Sequence, residues 1–361
     1  MVNHNSLWRD MPVFITGHTG FKGSWLSLWL SKLGAKVHGY ALAPPTTPNL
    51  FEAANVAGSL ASDARADLLD LSTLRHKLKI AQPTVIFHLA AQPLVRVGYA
   101  EPLATLSTNI MGTAHLLEAI REISSIKAVV IVTTDKVYDN REWIYPYREI
   151  DSLGGYDPYS ASKAAAELIV ASYRSSFFSS SLQDSPKVAT ARAGNVIGGG
   201  DWAKDRLIPD CLRSLEKGHP LVIRYPQAVR PWQHVLESLS GYLLLAETLL
   251  SSDGGNFTCA WNFGPSVSEQ ASVQEVVEQI DNCWGGSKHI EFLQSNNNLH
   301  EAGSLQLDAS QAHLKLGWGM RWSLSQAIKA TVDWHRAWLE RRDMKALTLS
   351  QIDFYQTSAQ T

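Results

Sequence analysis

Three glycines near the start of the chain, spaced three residues apart, restrict its fold more than any other feature. Gly17, Gly20 and Gly23 lie between a short apolar run, Val13–Thr16, and an amphipathic stretch, Ser24–Leu33. Glycines allow turns with positive φ and let a ligand approach the main chain, and the amides at the start of a helix attract phosphate. This placement between strand and helix predicts a dinucleotide-binding loop. A tight strand-to-helix turn without a ligand is the alternative.

Short β-branched runs alternate with amphipathic stretches through the first half of the chain. This order predicts a doubly wound parallel sheet of the Rossmann type, with helices on both faces and right-handed crossovers. The predicted strands are Val13–Thr16, Lys36–Tyr40, Thr84–Leu89, Ala128–Thr133 and Lys187–Ala193.

A change of composition after Asn195 indicates a second, smaller α/β lobe. The chain becomes rich in Gly, Pro, Trp and Arg there, and further helices are predicted at 237–250, 272–283 and 324–341. We expect a dinucleotide-binding domain over residues 1–194, with about 233–262 returning to it. The substrate-binding domain then comprises 195–232 and 263–345, and a polar tail over 346–361 is expected to be loosely attached.

The charge and cysteine content disfavour several classes of protein. Charged residues make up 18% of the chain and its net charge is −2, with no basic run, so nucleic acid is not an expected partner. No apolar run approaches the ~20 residues of a membrane span, and the polar first ten residues are too short for a signal peptide. The three cysteines have no metal or redox spacing. We therefore expect a cytoplasmic protein without a metal site or a membrane partner.

A tyrosine and a lysine four residues apart form the predicted catalytic centre. On a helix, Tyr159 and Lys163 share one face, so both side chains can enter one site. An ordinary tyrosine has a pKa of about 10, and we expect the nearby fixed positive charge to lower that pKa. The phenolate could then take a hydroxyl proton while hydride leaves the same carbon for a nicotinamide. Such pairs also occur by chance on partly exposed helix faces, which is the alternative.

The fourth predicted strand ends in a hydroxyl followed by an acid/base couple, Thr134, Asp135 and Lys136. Ligands collect at the carboxyl ends of the strands in an open α/β sheet. We expect Thr134 to hydrogen-bond the reacting hydroxyl, and the two charged residues to add acid/base chemistry. A surface ion pair at the start of a loop is the alternative.

In their order along the chain these motifs resemble those of the extended short-chain dehydrogenase/reductase family, from about Val13 to Trp334. The resemblance also rests on the strand end 88–92 and on Thr108-Asn109. It implies NAD as the cofactor, although the second strand end carries neither the acid nor the arginine that would distinguish NAD from NADP. The residues assigned to the cofactor are Gly17, Thr19, Gly20, Phe21, Lys22, Gly23, Asp67, Leu68, Leu89, Ala90, Ala91, Thr108, Tyr159 and Lys163. Asp67 fits a solvated loop acid equally well.

Within that family the chain resembles the nucleotide-sugar 4,6-dehydratases, most closely those acting on CDP-glucose, on residues 17–25, 134–138, 193–202 and 230–234. The resemblance implies that Tyr159 takes the C4 hydroxyl proton as hydride passes to NAD. Water is then eliminated across C5 and C6, with Asp135 as the acid, and the hydride returns to C6. Lys136 stands where related dehydratases carry Glu. It either removes the C5 proton or stabilises the enolate while another group does so.

The resemblance also implies how the substrate and a second copy of the chain bind. Arginine suits a diphosphate, because its guanidinium can bind two oxygens at once. Trp232 either stacks on the base or packs in the core. The residues assigned to the substrate are Gln92, Asn195, Arg206, Arg230, Trp232 and His234. A homodimer or homotetramer is implied, paired through helices that contain residues 108–122 and 159–173.

Three other functions share parts of this pattern. A nucleotide-sugar 4-epimerase needs only the ketone, so the presence of Asp135 and Lys136 favours dehydration. Lys136 disfavours the dehydratases of GDP-mannose and dTDP-glucose. A non-catalytic dinucleotide sensor would not need Thr134, Tyr159 and Lys163 together.

Overall fold

A computed structural model of the protein describes residues 4–178, 185–223, 225–266, 271–286, 290–292 and 304–360. The strands are β1 (Pro12–Thr16), β2 (Lys36–Ala41), β3 (Ser62–Arg65), β4 (Val85–His88), β5 (Ala128–Val132), β6 (Lys187–Ala193), β7 (Val196–Ile197), β8 (Leu221–Ile223), β9 (Val229–Arg230), β10 (Gln233–His234), β11 (Ala260–Phe263), β12 (Ala271–Ser272) and β13 (Ile290–Phe292). The α-helices are α1 (His4–Leu7), α2 (Phe21–Lys32), α3 (Leu50–Ala53), α4 (Leu71–Ala81), α5 (Val95–Ala100), α6 (Pro102–Leu106), α7 (Gly112–Ile120), α8 (Pro158–Ser176), α9 (Leu207–Glu216), α10 (Val235–Leu250), α11 (Val273–Trp284), α12 (Ser310–Leu316), α13 (Leu324–Leu339) and α14 (Met344–Thr357).

Seven parallel strands form one sheet in the order β11-β6-β5-β4-β1-β2-β3. The central strand β5 reads Ala-Val-Val-Ile-Val and is buried along its whole length, as expected of a strand covered by helices on both faces. The predicted fold class is therefore confirmed. Because the strands are parallel, the carboxyl ends of β1, β4 and β5 lie at one edge of the sheet, and the strand order reverses between β1 and β4, where a ligand crevice is expected.

The ends of the five predicted strands agree within two residues with those of β1, β2, β4, β5 and β6. The other two strands of the sheet, β3 and β11, were not predicted. The edge strand β3 reads Ser-Asp-Ala-Arg and is mostly exposed, so it lacks the apolar pattern of a buried strand. The four-residue strand β11 pairs with β6 at the opposite edge of the sheet. The chain thus returns to the sheet at residues 260–263, after α10 has packed against β5 and β6.

Two apolar cores lie on opposite faces of the sheet, and a third lies in the C-terminal half. The first joins the sheet to α2, α10 and α14, and the second joins it to α4, α7 and α8. The third gathers apolar side chains of α9, α11 and α13 around β8. None of the helices in the described ranges is both long and apolar enough to span a membrane.

The C-terminal segment corrects one expectation. The prediction of a loosely attached tail is wrong, because α14 packs against α2 and α13. Its buried residues, Met344, Thr348, Ile352 and Tyr355, recur at intervals of four or three and so form one face of the helix. Because polar residues lie between them, the average composition of the segment is polar and does not indicate a buried face.

Candidate active site

The glycine loop turns tightly against the neighbouring strand end. Gly17 has φ +78°, and a Cβ added to it would lie 2.6 Å from the backbone nitrogen of Ala90, just after β4. At Gly23 an added Cβ would lie 2.1 Å from the carbonyl oxygen of Gly17. Both positions therefore require glycine for packing between the loop, α2 and β4.

Gly20 differs from its two companions because it leaves open space. It is the N-cap of α2 with φ −77°, no side chain caps the helix, and an added Cβ would lie 3.4 Å from the carbonyl oxygen of Gly17. The first backbone amides of α2 have no partner within the helix. An uncapped helix start behind a glycine fits the pyrophosphate of a dinucleotide.

The other loop residues assigned to the cofactor divide between packing and the catalytic side. The buried Thr19 hydroxyl donates to the carbonyl of Leu42 (3.0 Å), and Phe21 packs against the first core. The Lys22 ammonium reaches past the loop and donates to the Tyr242 hydroxyl at 3.4 Å. Lys22 therefore lies on the side of the catalytic residues.

A clamp holds the end of β4 against α8. Asn109 lies in a π-helical turn, Ser107–Met111, just before α7. Its side-chain oxygen accepts from the backbone amide of Gln92 (2.8 Å), and its amide donates to the carbonyl of Gln92 (3.0 Å) and to the Ser162 hydroxyl (2.8 Å). The stretch Leu89–Ala91 is thus fixed beside the glycine loop.

The predicted acid/base residues follow β5 in a 3₁₀ turn, Asp135–Val137. Thr134 caps this turn. Its hydroxyl accepts from the amide of Lys136 at 3.4 Å and donates to Asp135 Oδ1 at 2.9 Å. Asp135 Oδ2 is buried and has no hydrogen-bond partner in the described part of the chain. A buried carboxylate oxygen without a partner is a group that a ligand can engage.

Tyr159 and Lys163 lie in the first two turns of α8. Asp157 caps the helix by accepting from the amide and the hydroxyl of Ser160 (3.0 and 2.5 Å), and Pro158 occupies the first helical position. Both side chains are buried, and the Lys163 ammonium donates to the carbonyl of Val132 at 2.9 Å. The lysine is thereby tied to the end of β5.

The electrostatics of Tyr159 correct the expectation of a lowered pKa. Burial raises the pKa of Tyr159 to about 12, a hydrogen bond with Thr134 lowers it in part, and the charge of Asp135 raises it again. Arg206 makes the cationic contribution that lowers the pKa of the phenol. Removal from water therefore outweighs the nearby positive charge in this ligand-free site.

Three cations surround Asp135 and Tyr159. Burial lowers the pKa of Lys163 to about 8, against the opposing charge of Glu167. Burial, followed by repulsion from Arg206, lowers the pKa of Lys22 to about 7, while Asp135 raises it. The Arg206 guanidinium pairs with Asp201 at 2.8 Å, which raises its pKa, and the charge of Tyr159 acts in the same direction. These groups make the site attractive to anions.

Three residues assigned to the substrate make contacts inside the protein. The Gln92 side chain is bonded within the chain, to Thr105 and to both backbone groups of Leu94. Trp232 is buried in the third core and donates to the carbonyl of Ala271 at 3.2 Å. His234 is fully buried beside the rings of Trp25 and Trp322, and burial lowers its pKa to about 3. For Trp232 these contacts favour packing in the core, one of the two roles that the sequence left open. The substrate contacts of Gln92 and His234 stay predictions, because Gln92 is half-buried and His234 Nε2 has no hydrogen-bond partner among the described residues.

The remaining assigned residues stay compatible with binding. Asn195 and Arg230 are half-buried, Asn195 just after β6 and Arg230 in β9. Thr108 is half-buried in the π-helical turn. Asp67 is exposed, and Leu68 is buried against α7. Their contacts with a ligand stay predictions.

Sequence reasoning missed Asn109 as a clamp and Tyr242 as the partner of Lys22. Asn109 directly follows Thr108, which the sequence analysis assigned to the cofactor, so the same motif contains both residues. Tyr242 lies in α10, 220 residues from Lys22. No local sequence pattern predicts a contact between residues so far apart in the chain.

Comparison with known proteins agrees with this geometry. The sequence matches the family described as GDP-mannose 4,6 dehydratase over residues 14–331. It is 48% identical over 360 residues to CDP-glucose 4,6-dehydratase of Salmonella typhimurium strain LT2, a match that covers 99% of each chain. It is 25% identical over 289 residues to dTDP-glucose 4,6-dehydratase of Haemophilus influenzae, covering 75% of this chain and 81% of that one.

Solved structures share the fold. UDP-glucose 4-epimerase of Thermotoga maritima superposes with a TM-score of 0.79 at 21% identity, covering 91% of this chain and all of that one. The dTDP-glucose 4,6-dehydratase of Bacillus anthracis, in complex with NAD, superposes with a TM-score of 0.76 at 24% identity, covering 93% and 99%. With the family match over most of its length, the chain belongs to the GDP-mannose 4,6 dehydratase family, within the extended short-chain dehydrogenases/reductases.

Proposed function

We propose that the protein is an NAD-dependent CDP-glucose 4,6-dehydratase, which converts CDP-D-glucose to CDP-4-keto-6-deoxy-D-glucose and water. The observation that carries the proposal is the meeting of two sets of residues at the end of β5. Thr134, Asp135 and Lys136 follow that strand, and Tyr159 and Lys163 face it from α8. The name of the 48% identical relative supports the choice of CDP-glucose.

The first chemical step is removal of the C4 hydroxyl proton. Tyr159 is the base, and Thr134, which hydrogen-bonds the phenol, is placed to hold the same hydroxyl. Bound NAD supplies the chemistry of accepting hydride from C4 and returning it to C6. Arg206 holds positive charge close to the phenol and so favours its ionised form.

The second step is the loss of water across C5 and C6. One carboxylate oxygen of Asp135 has no hydrogen-bond partner among the described residues, and we assign Asp135 to protonate the departing C6 hydroxyl. The half-buried Lys136 follows it directly. The 4-ketone acidifies the C5 proton, and Lys136 either removes that proton or stabilises the enolate. In the overall balance the C5 proton and the C6 hydroxyl leave as water, the hydride from C4 completes C6, and the proton that Tyr159 took from the C4 hydroxyl replaces the one lost from C5.

The assembly, domain division and compartment are part of the proposal. Leu103, Met111 and Leu168 are large apolar side chains that stay exposed on α6, the π-helical turn and α8. A homodimer or homotetramer would cover this face. We assign NAD to residues 1–194 and 233–262, and the nucleotide sugar to 195–232 and 263–345, in a protein of the cytoplasm.

The test is product formation from nucleotide sugars. Purified protein is incubated with NAD and, in parallel, CDP-glucose, UDP-glucose, GDP-mannose or dTDP-glucose, and alkali then reveals the near-ultraviolet absorbance of a 4-keto-6-deoxy sugar. We expect signal with CDP-glucose alone. We expect Tyr159→Phe to lower the rate about 100-fold or more, as for loss of a general base.

Tyr173→Phe is the matched control, because Tyr173 lies four turns further along α8 and its phenol contacts Glu118. We expect it to react like the wild type. Interconversion of a glucose–galactose pair without a keto product would instead indicate an epimerase, and it would remove Asp135 and Lys136 from the mechanism.

A further inference from the structure

A buried ion pair behind the catalytic turn has no part in the mechanism described so far. The Glu167 carboxylate of α8 and the Arg192 guanidinium of β6 meet through two hydrogen bonds of 2.9 and 3.0 Å. Each side chain is only 3% exposed. The cost of removing two charges from water usually cancels their attraction, so a buried pair of this kind contributes little to stability. Its geometry suggests a different role.

One end of the pair holds the residue just before the catalytic turn. The Thr133 hydroxyl donates to Glu167 Oε1 at 2.6 Å, and the Thr190 hydroxyl of β6 donates to Oε2 at 2.8 Å. With the two bonds from Arg192, the carboxylate accepts four hydrogen bonds. Thr133 precedes the catalytic Thr134 directly, whereas Thr190 lies on the neighbouring strand.

The other end of the pair holds the residue just after the turn. Arg192 Nη1 donates to the Tyr138 hydroxyl at 2.9 Å, and that hydroxyl donates to Asn262 Oδ1 of β11 at 2.7 Å. All three side chains are buried. Thr133 and Tyr138 therefore flank residues 134–137, and the same ion pair holds both flanking residues.

The same carboxylate also adjoins the catalytic lysine. Glu167 follows Lys163 by one turn of α8, and Lys163 donates to the carbonyl of Val132, one residue before Thr133. The end of β5 is thus held from both sides of the catalytic turn and from the catalytic helix.

We propose that Glu167 and Arg192 are positioning residues, which fix Thr134, Asp135 and Lys136 against Tyr159 through Thr133 and Tyr138. The inference rests on the catalytic role assigned to those residues under the proposed function. A displacement of about 1 Å in such a turn can lower a rate 100-fold without changing how the substrate binds.

Two buried threonines provide a matched test, because each donates one hydrogen bond to the same carboxylate. We expect Thr133→Val to lower kcat about tenfold, with KM for CDP-glucose and Kd for NAD within twofold of the wild type. We expect Thr190→Val to keep kcat within twofold. Thr133→Ser restores the hydroxyl and should recover most of the lost kcat, which a purely packing role for the Thr133 methyl group would not allow.

Tyr138→Phe tests the second anchor, since it keeps the ring stacked on Tyr147 and removes only the hydroxyl. A tenfold loss of kcat with unchanged KM is expected here too. Equal kcat in Thr133→Val and Thr190→Val, whether both are normal or both reduced, would overturn the inference. All rates are compared on whichever nucleotide sugar the wild type converts, so inactivity of the wild type on CDP-glucose counts against the proposed function alone.

Discussion

Replacing Gly20 with alanine should separate cofactor binding from folding. Gly20 has φ −77° and ψ 170°, which alanine adopts without strain, and its new Cβ would lie 3.4 Å from the nearest atom, the carbonyl oxygen of Gly17. Replacing glycine by alanine stabilises a protein by about 0.4–1 kcal/mol where the backbone allows it, because the unfolded chain loses freedom. Alanine is a poorer N-cap than glycine by about the same amount, so the two effects offset each other and the variant should be about as stable as the wild type.

The same methyl group would stand at the uncapped start of α2, where the pyrophosphate is expected. Losing one hydrogen bond to a charged group costs about 1.5–3 kcal/mol. Since 1.4 kcal/mol corresponds to a factor of ten, Gly20→Ala should weaken NAD binding roughly 10- to 100-fold. Titration of tryptophan fluorescence or calorimetry would measure the dissociation constant.

Gly23→Ala is the matched control for a steric effect on folding. Its Cβ would lie 2.1 Å from the carbonyl oxygen of Gly17 and 2.7 Å from the Cα of His18, both of them backbone atoms. We expect this variant to melt at a clearly lower temperature, whereas Gly20→Ala does not. A stable Gly20→Ala enzyme that binds NAD as tightly as the wild type would refute the assignment of the pyrophosphate to this helix start.

Two further predictions concern stability. Burial raises the pKa of Glu237 to about 7, above its unfolded value of about 4.3, so its stabilising contribution is complete below the unfolded pKa and is lost as the pH rises through 7. This pKa difference corresponds to at most about 4 kcal/mol of unfolding free energy. Glu237→Gln should therefore flatten the fall in melting temperature between pH 5 and 8, and an unchanged slope would assign that fall to other groups. The second prediction concerns α14. Ile352→Ala should lower the free energy of unfolding by about 3 kcal/mol, because Ile352 is fully buried. Phe354→Ala should lower it by less than about 1 kcal/mol, because Phe354 is 61% exposed. Urea denaturation would measure both costs, and equal values would contradict the packing of this helix.

The fold was predictable where one residue pattern decides the structure. The parallel strands β1, β4 and β5 are continuous apolar runs, and the glycine loop marks the first turn from strand to helix. The edge strand β3 was not predictable, because an exposed strand has no apolar pattern to detect. The attachment of α14 was missed because four buried residues are diluted among polar ones.

The candidate site was predictable where residues near in sequence lie together, as Tyr159 and Lys163 do in the first two turns of α8. It was not predictable where the role of a side chain depends on distant burial. Trp232 follows Arg230 in a motif with the chemistry of a binding site, yet it packs in the third apolar core, and His234 is fully buried beside two tryptophan rings. A single sequence does not separate a packing aromatic side chain from a stacking one.

The pKa of Tyr159 shows most clearly why pattern and chemistry can diverge. The four-residue spacing to Lys163 places a cation near the phenol, but it says nothing about how much water the site excludes. Burial contributes most to the shift and raises the pKa to about 12, while Thr134 and Arg206 oppose it. Since Thr134 follows β5 and Arg206 precedes α9, the reactivity of the tyrosine depends on residues from both halves of the chain. In the ligand-free enzyme the phenol is therefore a weaker acid than a tyrosine in water, and positive charge brought close to it would favour its ionisation.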